Sequence, residues 1–492
     1  MKEPPDTADV IVIGGGGSGL AAAAEAAGLG RSVILLEKNP QLGGSTGQSV
    51  GSVSASNTPH QHKLGIKDSP DEHFEDLGLF AGAMAPRDNL ALRHILVEEA
   101  TDTFKWLLSN GVVFMGPALE PPHRHPRMHN VVPGSKSYPY HLGRLCSRRG
   151  VDIRFSTQAR SFIVENERVV GVVAVDENGT ERHFRANRGV VLTSGDYSGG
   201  REMKARFASD LAATSDAVNV TNTGDGHAMA LAIGASVVNG DLVHGPILRF
   251  VPPSRPSLIS RIPPFTWVAK AATFAMEHAP QALVRPILMS FITTVLGPDP
   301  GLFKAGGILV NEKGQRFTNE RENPACDLVS QPNGVGYIVL DSALARQFTA
   351  WPNFVSTAPN VAYAYLPDYK HNRRDIYHEA SDAARLAERL KMDPQQLAAS
   401  LQSGGPDGTG LTKAPFIALG PVKSYIVLTE GGVKVTERHE VVGAGDKPLV
   451  GLFAAGSAGQ GGLLLYGHGH HLAWAFVSGR RAGRYAALTR PI

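Results

Sequence analysis

Short runs of β-branched and aliphatic residues alternate along the chain with alanine- and leucine-rich stretches, and glycine and proline punctuate the junctions. That rhythm predicts an α/β protein. Asp9-Val-Ile-Val-Ile13 is a continuous apolar run of strand length. Gly-Gly-Gly-Gly-Ser-Gly follows at once, and an alanine-rich helix begins at Leu20. A second strand, Ser32-Val-Ile-Leu-Leu-Glu37, ends in an acid. Strand, glycine turn, helix and strand make one βαβ unit. No internal repeat and no low-complexity tail interrupts the pattern.

Read as G-x-G-x-x-G, the turn assigns one role to each of Gly14, Gly16 and Gly19: a tight turn, close approach to a pyrophosphate, and packing of helix on strand. Gly17 and Ser18 lead into the helix, whose N-terminus offers free N–H groups and partial positive charge to phosphates. Glu37, followed by Lys38, stands where a carboxylate accepts hydrogen bonds from an adenosine ribose. The unit therefore predicts a bound dinucleotide. The loop from Gln41 to Gly51 is rich in glycine and hydroxyls, with Gly44, Ser45, Thr46, Ser49 and Gly51 among them. It suits wrapping an extended cofactor, which favours FAD over a nicotinamide nucleotide.

Composition narrows the class. The 492 residues are 42% apolar and 19% charged, enough chain for two domains or more. Forty-eight Lys and Arg stand against 45 Asp and Glu, with no long run of like charge, so a nucleic-acid partner is not expected. Cys146 and Cys326 form neither a disulfide framework nor metal-type spacing, which points to a reducing cytoplasm. The polar N-terminal segment carries no signal-like core, so export is not expected. The most apolar later stretch, Phe265 to Gly297, is broken by Lys270, Glu277, His278, Arg285 and prolines. It is too interrupted to span a bilayer. A buried or partner-facing helical hairpin is the preferred reading, ahead of contact with a membrane surface, and its aromatic and Met positions are expected in core.

Further motifs follow in order. They are Gly189-Val-Val-Leu-Thr193-Ser194-Gly195, Thr223-Gly-Asp225-Gly226, Gly306-Gly-Ile-Leu-Val-Asn-Glu-Lys-Gly-Gln-Arg-Phe-Thr-Asn-Glu320, Leu452-Phe-Ala-Ala-Gly456-Ser457 and Gly479-Arg-Arg-Ala-Gly483. Over nearly its whole length the chain resembles the fumarate reductase/succinate dehydrogenase flavoprotein superfamily, in particular its 3-ketosteroid dehydrogenase branch. The resemblance implies a discontinuous Rossmann-like FAD-binding domain of the glutathione-reductase type, residues 1–245 and 418–492, with an inserted α+β capping domain at 246–417. It implies an active site between them that is closed from water. Residues 43–51 contain no histidine, so non-covalent FAD is expected. Ala159 matches the backbone contact to adenine, and Gly456, His471 and Leu472 match the end of the flavin site.

Substrate positions depart from the dicarboxylate enzymes. The family's arginine after the Asn-Glu pair falls on Pro324, a histidine falls on Leu428, and the late arginine falls on Tyr466. Only His244 keeps a substrate-side histidine. A small dianion would lack its charged partners, so succinate and fumarate are disfavoured. Tyrosine at 466 is instead similar to the ketosteroid enzymes, where a tyrosine and a backbone N–H, here that of His470, hold the ketone oxygen. Their catalytic-base tyrosine is missing at Pro324. Asp327, Tyr138, Tyr140 and His468 stay open as the base.

The resemblance thus implies α,β-desaturation, or its reverse, of an apolar, cyclic or steroid-like ketone, by α-proton removal and passage of the β-hydride to flavin N5, with a separate electron acceptor. Two alternatives are kept: a fumarate- or enoate-type reductase binding an acid through His244 and Arg249, and a non-catalytic electron-transfer flavoprotein. Arg249 is otherwise read as a surface arginine. No metal is expected at Gly467-His-Gly-His-His471, and His123, His125 and His129 are read as a solvated loop ahead of a lid.

Overall fold

The computed structural model describes residues 6–253, 261–358, 362–403, 405 and 408–491. Strands Asp152–Arg154, Val33–Leu36, Asp6–Ile13 and Glu181–Leu192 lie side by side in parallel, with Val10 opposite both Val33 and Gly189. Pro448–Ala454 returns from the far end of the chain to pair in parallel with Glu181–Leu192. Val10, Ile11, Val12 and Leu35 are buried because helices cover the sheet, which is why these strands read as unbroken apolar runs. Gln158–Glu165 and Arg168–Val175 form a hairpin whose second strand pairs antiparallel with Glu181–Leu192.

The first helix, Gly17–Gly28, crosses the last, His470–Leu488, at close range. A methyl group built on Gly479 would stand 2.3 Å from the Ser18 carbonyl oxygen, and one on Gly483 would stand 2.2 Å from that of Ala22. Glycine four residues apart on one helix and alanine on the other are what allow this approach.

A second sheet is built on Phe416–Ile426, which pairs antiparallel with Val335–Asp341, Ile247–Phe250 and Tyr377–Ala380. A separate core, with Leu309, Val339, Leu419 and Val422 in it, packs on this sheet. The break expected at 417/418 falls within Phe416–Ile426.

The Phe265 to Gly297 segment forms two helices, Thr266–His278 and Gln281–Val295. The expectation of an aromatic core here is corrected: Trp267 is 72% and Phe274 64% exposed, while Ala269, Met289 and Ile292 are buried. The apolar positions spread around both helices, and one face of each meets the body. Among the described residues no helix is long and apolar enough to cross a membrane.

Candidate active site

Ile13, Leu36, Leu192 and Ala454 end four parallel strands at the same edge of the first sheet. The turns that follow line one cavity of about 910 Å³. Ligands of open α/β sheets bind at this carboxyl edge. Gly14, Gly16, Gly17, Ser18, Glu37, Lys38, Gly44, Ser45, Thr46, Ser49, Gly51, Ala159, Thr193, Ser194, Gly195, Asp225, Gly456, His471 and Leu472 all contribute to the wall. Gly19 does not. It packs the helix on the turn, where a methyl group would meet the Gly14 carbonyl oxygen at 1.8 Å.

The wall is held by its own hydrogen bonds. The Glu37 carboxylate accepts from Gly15 N–H at 2.7 Å and from Asn39 N–H at 2.7 Å, which locks the second strand's end to the glycine turn. Thr46 Oγ1 accepts from Gly17 N–H at 3.1 Å. Lys38 donates to Asp225 at 2.8 Å; although burial opposes ionisation, that bond holds the Asp225 carboxyl below its ordinary range. Asn219 and Asn222 both donate to Ser45 Oγ, at 2.8 and 2.9 Å, and both line the cavity. Sequence reasoning missed this pair, although two asparagines just before the Thr-Gly-Asp-Gly turn were visible.

Toward the second sheet the wall turns aliphatic. Ile247, Val295, Leu296, Val427, Leu428 and Leu465 surround Tyr466, His244 and Arg249. Burial, with the Glu430 carboxylate nearby, raises the Tyr466 phenol above its ordinary pKa. Arg249 is not the surface residue expected. It lines the cavity, donates to the Val295 carbonyl at 2.5 Å, and has its pKa lowered by burial. His468 stands at the rim against Glu120, whose hydrogen bond raises the His468 pKa.

Other candidates lie elsewhere. Asp327 is exposed in the helix Pro324–Val329 and accepts from Thr318 at 2.5 Å, away from the cavity. The helix starting at Pro324 turns its side chain outward. Tyr140 lines a separate cavity with His141, Arg144, Phe265 and Trp267, and receives a hydrogen bond from Arg144 at 2.7 Å. Tyr138 is buried and donates to the Gly51 carbonyl at 2.7 Å, bracing the loop. The His470 side chain is buried behind the wall: its Nδ1 lies 2.8 Å from the Tyr466 carbonyl and its Nε2 lies 3.2 Å from His73 Nε2. His123 and His129 are buried too, which corrects the solvated-loop reading for both. His123 Nδ1 lies 2.9 Å from Arg127, and His129 Nε2 lies 2.9 Å from Thr58 Oγ1. His125 is half-buried, 3.3 Å from Glu72.

A family model described as FAD binding domain matches residues 9–261 and 267–466. The chain belongs to that family. This flavoprotein is 26% identical over 506 residues to a probable fumarate reductase, Ifc3, of Shewanella frigidimarina, covering 98% of the chain and 75% of the relative. It is 26% identical over 516 residues to the NADH:fumarate oxidoreductase of Klebsiella pneumoniae, covering 98% of the chain but 48% of the relative, so it spans about half that protein's length. Its fold matches the open conformation of a flavocytochrome c3 fumarate reductase with a TM-score of 0.73 at 25% identity, over 98% of this chain and 78% of that one. It also matches a 3-ketosteroid-Δ4-(5α)-dehydrogenase from Rhodococcus jostii, in complex with 4-androstene-3,17-dione. That TM-score is 0.60 at 23% identity, over 99% and 98%. The protein is an FAD-dependent oxidoreductase of the fumarate reductase family.

The wall fits its cofactor. A methyl group on Gly16 or Gly44 would meet almost nothing but the open cavity, so the bare backbone of this turn lets a phosphate approach closely. Ser194 Oγ is buried on the wall without a hydrogen-bond partner. The close packing behind this cradle predicts that Gly19→Ala destabilises the protein by about 1–3 kcal/mol and purifies with less bound FAD. Thermal melting and the ratio of flavin to protein absorbance check it; a fully yellow, equally stable variant would refute it.

Proposed function

We propose that this flavoprotein oxidises or reduces the carbon–carbon bond next to the carbonyl of an apolar, cyclic or steroid-like ketone, with a separate partner exchanging the electrons. The observation that carries the reading is Tyr466, a neutral phenol lining an otherwise mostly aliphatic end of the cavity, with Leu428 beside it where a dicarboxylate enzyme would need charge. FAD, when bound, supplies the two-electron redox chemistry. Gly14 to Ser18 would hold its pyrophosphate, Glu37 its ribose and the backbone at Ala159 its adenine. Ser45 to Gly51, Gly456, His471 and Leu472 would enclose the rest.

The Tyr466 hydroxyl donates to the substrate oxygen and stabilises the negative charge that develops as the α-proton leaves. Its raised pKa keeps it a donor at neutral pH. The aliphatic residues exclude water and accept the substrate's rings.

Arg249 supports a second reading, in which its guanidinium and His244 hold the single carboxylate of an unsaturated acid. The flavin's visible band separates the two under anaerobic titration. Bleaching by a 3-oxosteroid or a simple cyclic ketone but not by succinate is the expected result. Turnover of an unsaturated acid by the dye-reduced enzyme, with no bleaching by ketones, would replace it with the second reading.

A further inference from the structure

The ketone reading needs a base, and the cavity wall carries a histidine backed by a fully buried carboxylate. Antiparallel pairing of Val243 with Thr429 and of His244 with Leu428 brings His244 beside Glu430, and Glu430 N–H donates to the Leu242 carbonyl at 2.9 Å. The Glu430 side chain is fully buried. Its Oε1 lies 2.6 Å from His244 Nε2 and 3.3 Å from His471 Nε2, and its Oε2 accepts from Gln460. A buried carboxylate requires such partners. Although burial opposes ionisation, the His471 and His244 imidazoles hold this carboxyl well below its usual range.

An ionised carboxylate only accepts, so His244 Nε2 carries the proton, and in the neutral ring the lone pair sits on Nδ1. The His244 side chain is 30% exposed, lines the cavity, and has its ring 5.1 Å from the Tyr466 ring. A carboxylate that orients one ring nitrogen so that the other can act is the arrangement of an activated histidine base. The other candidates fail on position: Asp327 and Tyr140 lie outside the cavity, Tyr138 is buried in the helix Ser137–Arg148, and His468, paired with Glu120 at the rim, has 62% of its side chain exposed to solvent.

We infer that His244, positioned by Glu430, is the group that takes the proton from the substrate carbon next to the carbonyl and returns it in the reverse direction. This rests on the proposed function above. The α-carbon's C–H bond breaks, and an N–H bond forms at His244 Nδ1. The bonding pair stays on the substrate as an enolate whose oxygen faces the Tyr466 hydroxyl, and Glu430 balances the imidazolium charge. Glu430 touches no substrate; it is a positioning residue.

The proton half is measurable without net oxidation. Dithionite-reduced holoenzyme is incubated with a saturated 3-oxosteroid in D2O, and deuterium at the carbons flanking the carbonyl is counted by mass spectrometry. His244→Gln, with His244→Asn as a second variant should the first lose FAD, is expected to lower wash-in by about 100-fold or more. Glu430→Gln is expected to slow it while leaving the steroid's KM near the wild-type value. Wash-in at the wild-type rate in the His244 variants overturns the assignment.

If the wild type ignores ketones but reduces an unsaturated acid, the ketone reading falls. The dyad is then judged at saturating acid on deuterium delivered from D2O to the carbon next to the carboxyl: loss of that rate in His244→Gln supports the dyad, while a raised KM with the saturated rate kept overturns it. Independently of any substrate, 15N-histidine NMR should show a strongly downfield His244 Nε2–H that disappears in Glu430→Gln. A wild-type spectrum lacking that signal also overturns the dyad.

Discussion

Between about pH 7.5 and pH 5.5 the protein should lose folding stability on the order of several kcal/mol. Burial lowers His123, His129 and His439 to about 3, and His227 and His470 to about 4. His73 is shifted the same way. In the unfolded chain each imidazole protonates near its ordinary pKa of about 6.5. Below that pH the unfolded state binds more protons than the native state, so the stability present above the unfolded value is lost as pH falls toward the folded values. By pH 5.5 each group contributes a loss on the order of 1 kcal/mol, and together they become comparable to the stability of an ordinary domain, about 5–15 kcal/mol. Glu430 and Asp76, with lowered pKa values, lose their contributions only at still lower pH, below the ordinary carboxylate range. His468 acts in the opposite sense, but its side chain is exposed and its pairing is screened. Urea midpoints across this range test the expectation. A midpoint that does not move would mean that these imidazoles titrate as exposed groups.

Tyr466→Phe should lower kcat roughly 30- to 1000-fold, about 2–4 kcal/mol of barrier, on a ketone that bleaches the flavin. The fold should tolerate it: the Tyr466 contact to His470 Nδ1 runs through the backbone carbonyl, which phenylalanine keeps, and the ring still fills its place among aliphatic neighbours. Flavin content and melting temperature should therefore stay close to wild type. A kcat within about twofold of wild type would remove Tyr466 from the chemistry and favour the acid reading built on Arg249.

Much of the cofactor site was legible because its signals are local. A strand, a glycine turn and a helix start are contiguous, and Gly19 is demanded by its contact with the Gly14 carbonyl inside the unit. The aliphatic end of the cavity was legible only in its identities. Tyr466, Leu428 and His244 stand out in the sequence and do meet in one cavity. Nothing local separates Asp327 or Tyr140, which point elsewhere, from Glu430, which sits fully buried beside His244. The histidines of 123–129 read as a polar loop, yet His123 and Arg127 are buried because Asp68 and Asp76, from a distant segment, neutralise Arg127 at 2.6 and 2.5 Å.

The sequence by itself determined the βαβ cofactor unit and the α/β class, because periodicity, turn chemistry and residue type are properties of neighbouring residues. Tertiary structure alone decided which ionisable groups are partners, which are buried neutral and which face the cavity. Those properties depend on desolvation and on charges within a few ångströms, and both are set by segments far apart in the chain, 51 residues for Asp76 with Arg127 and 186 for His244 with Glu430.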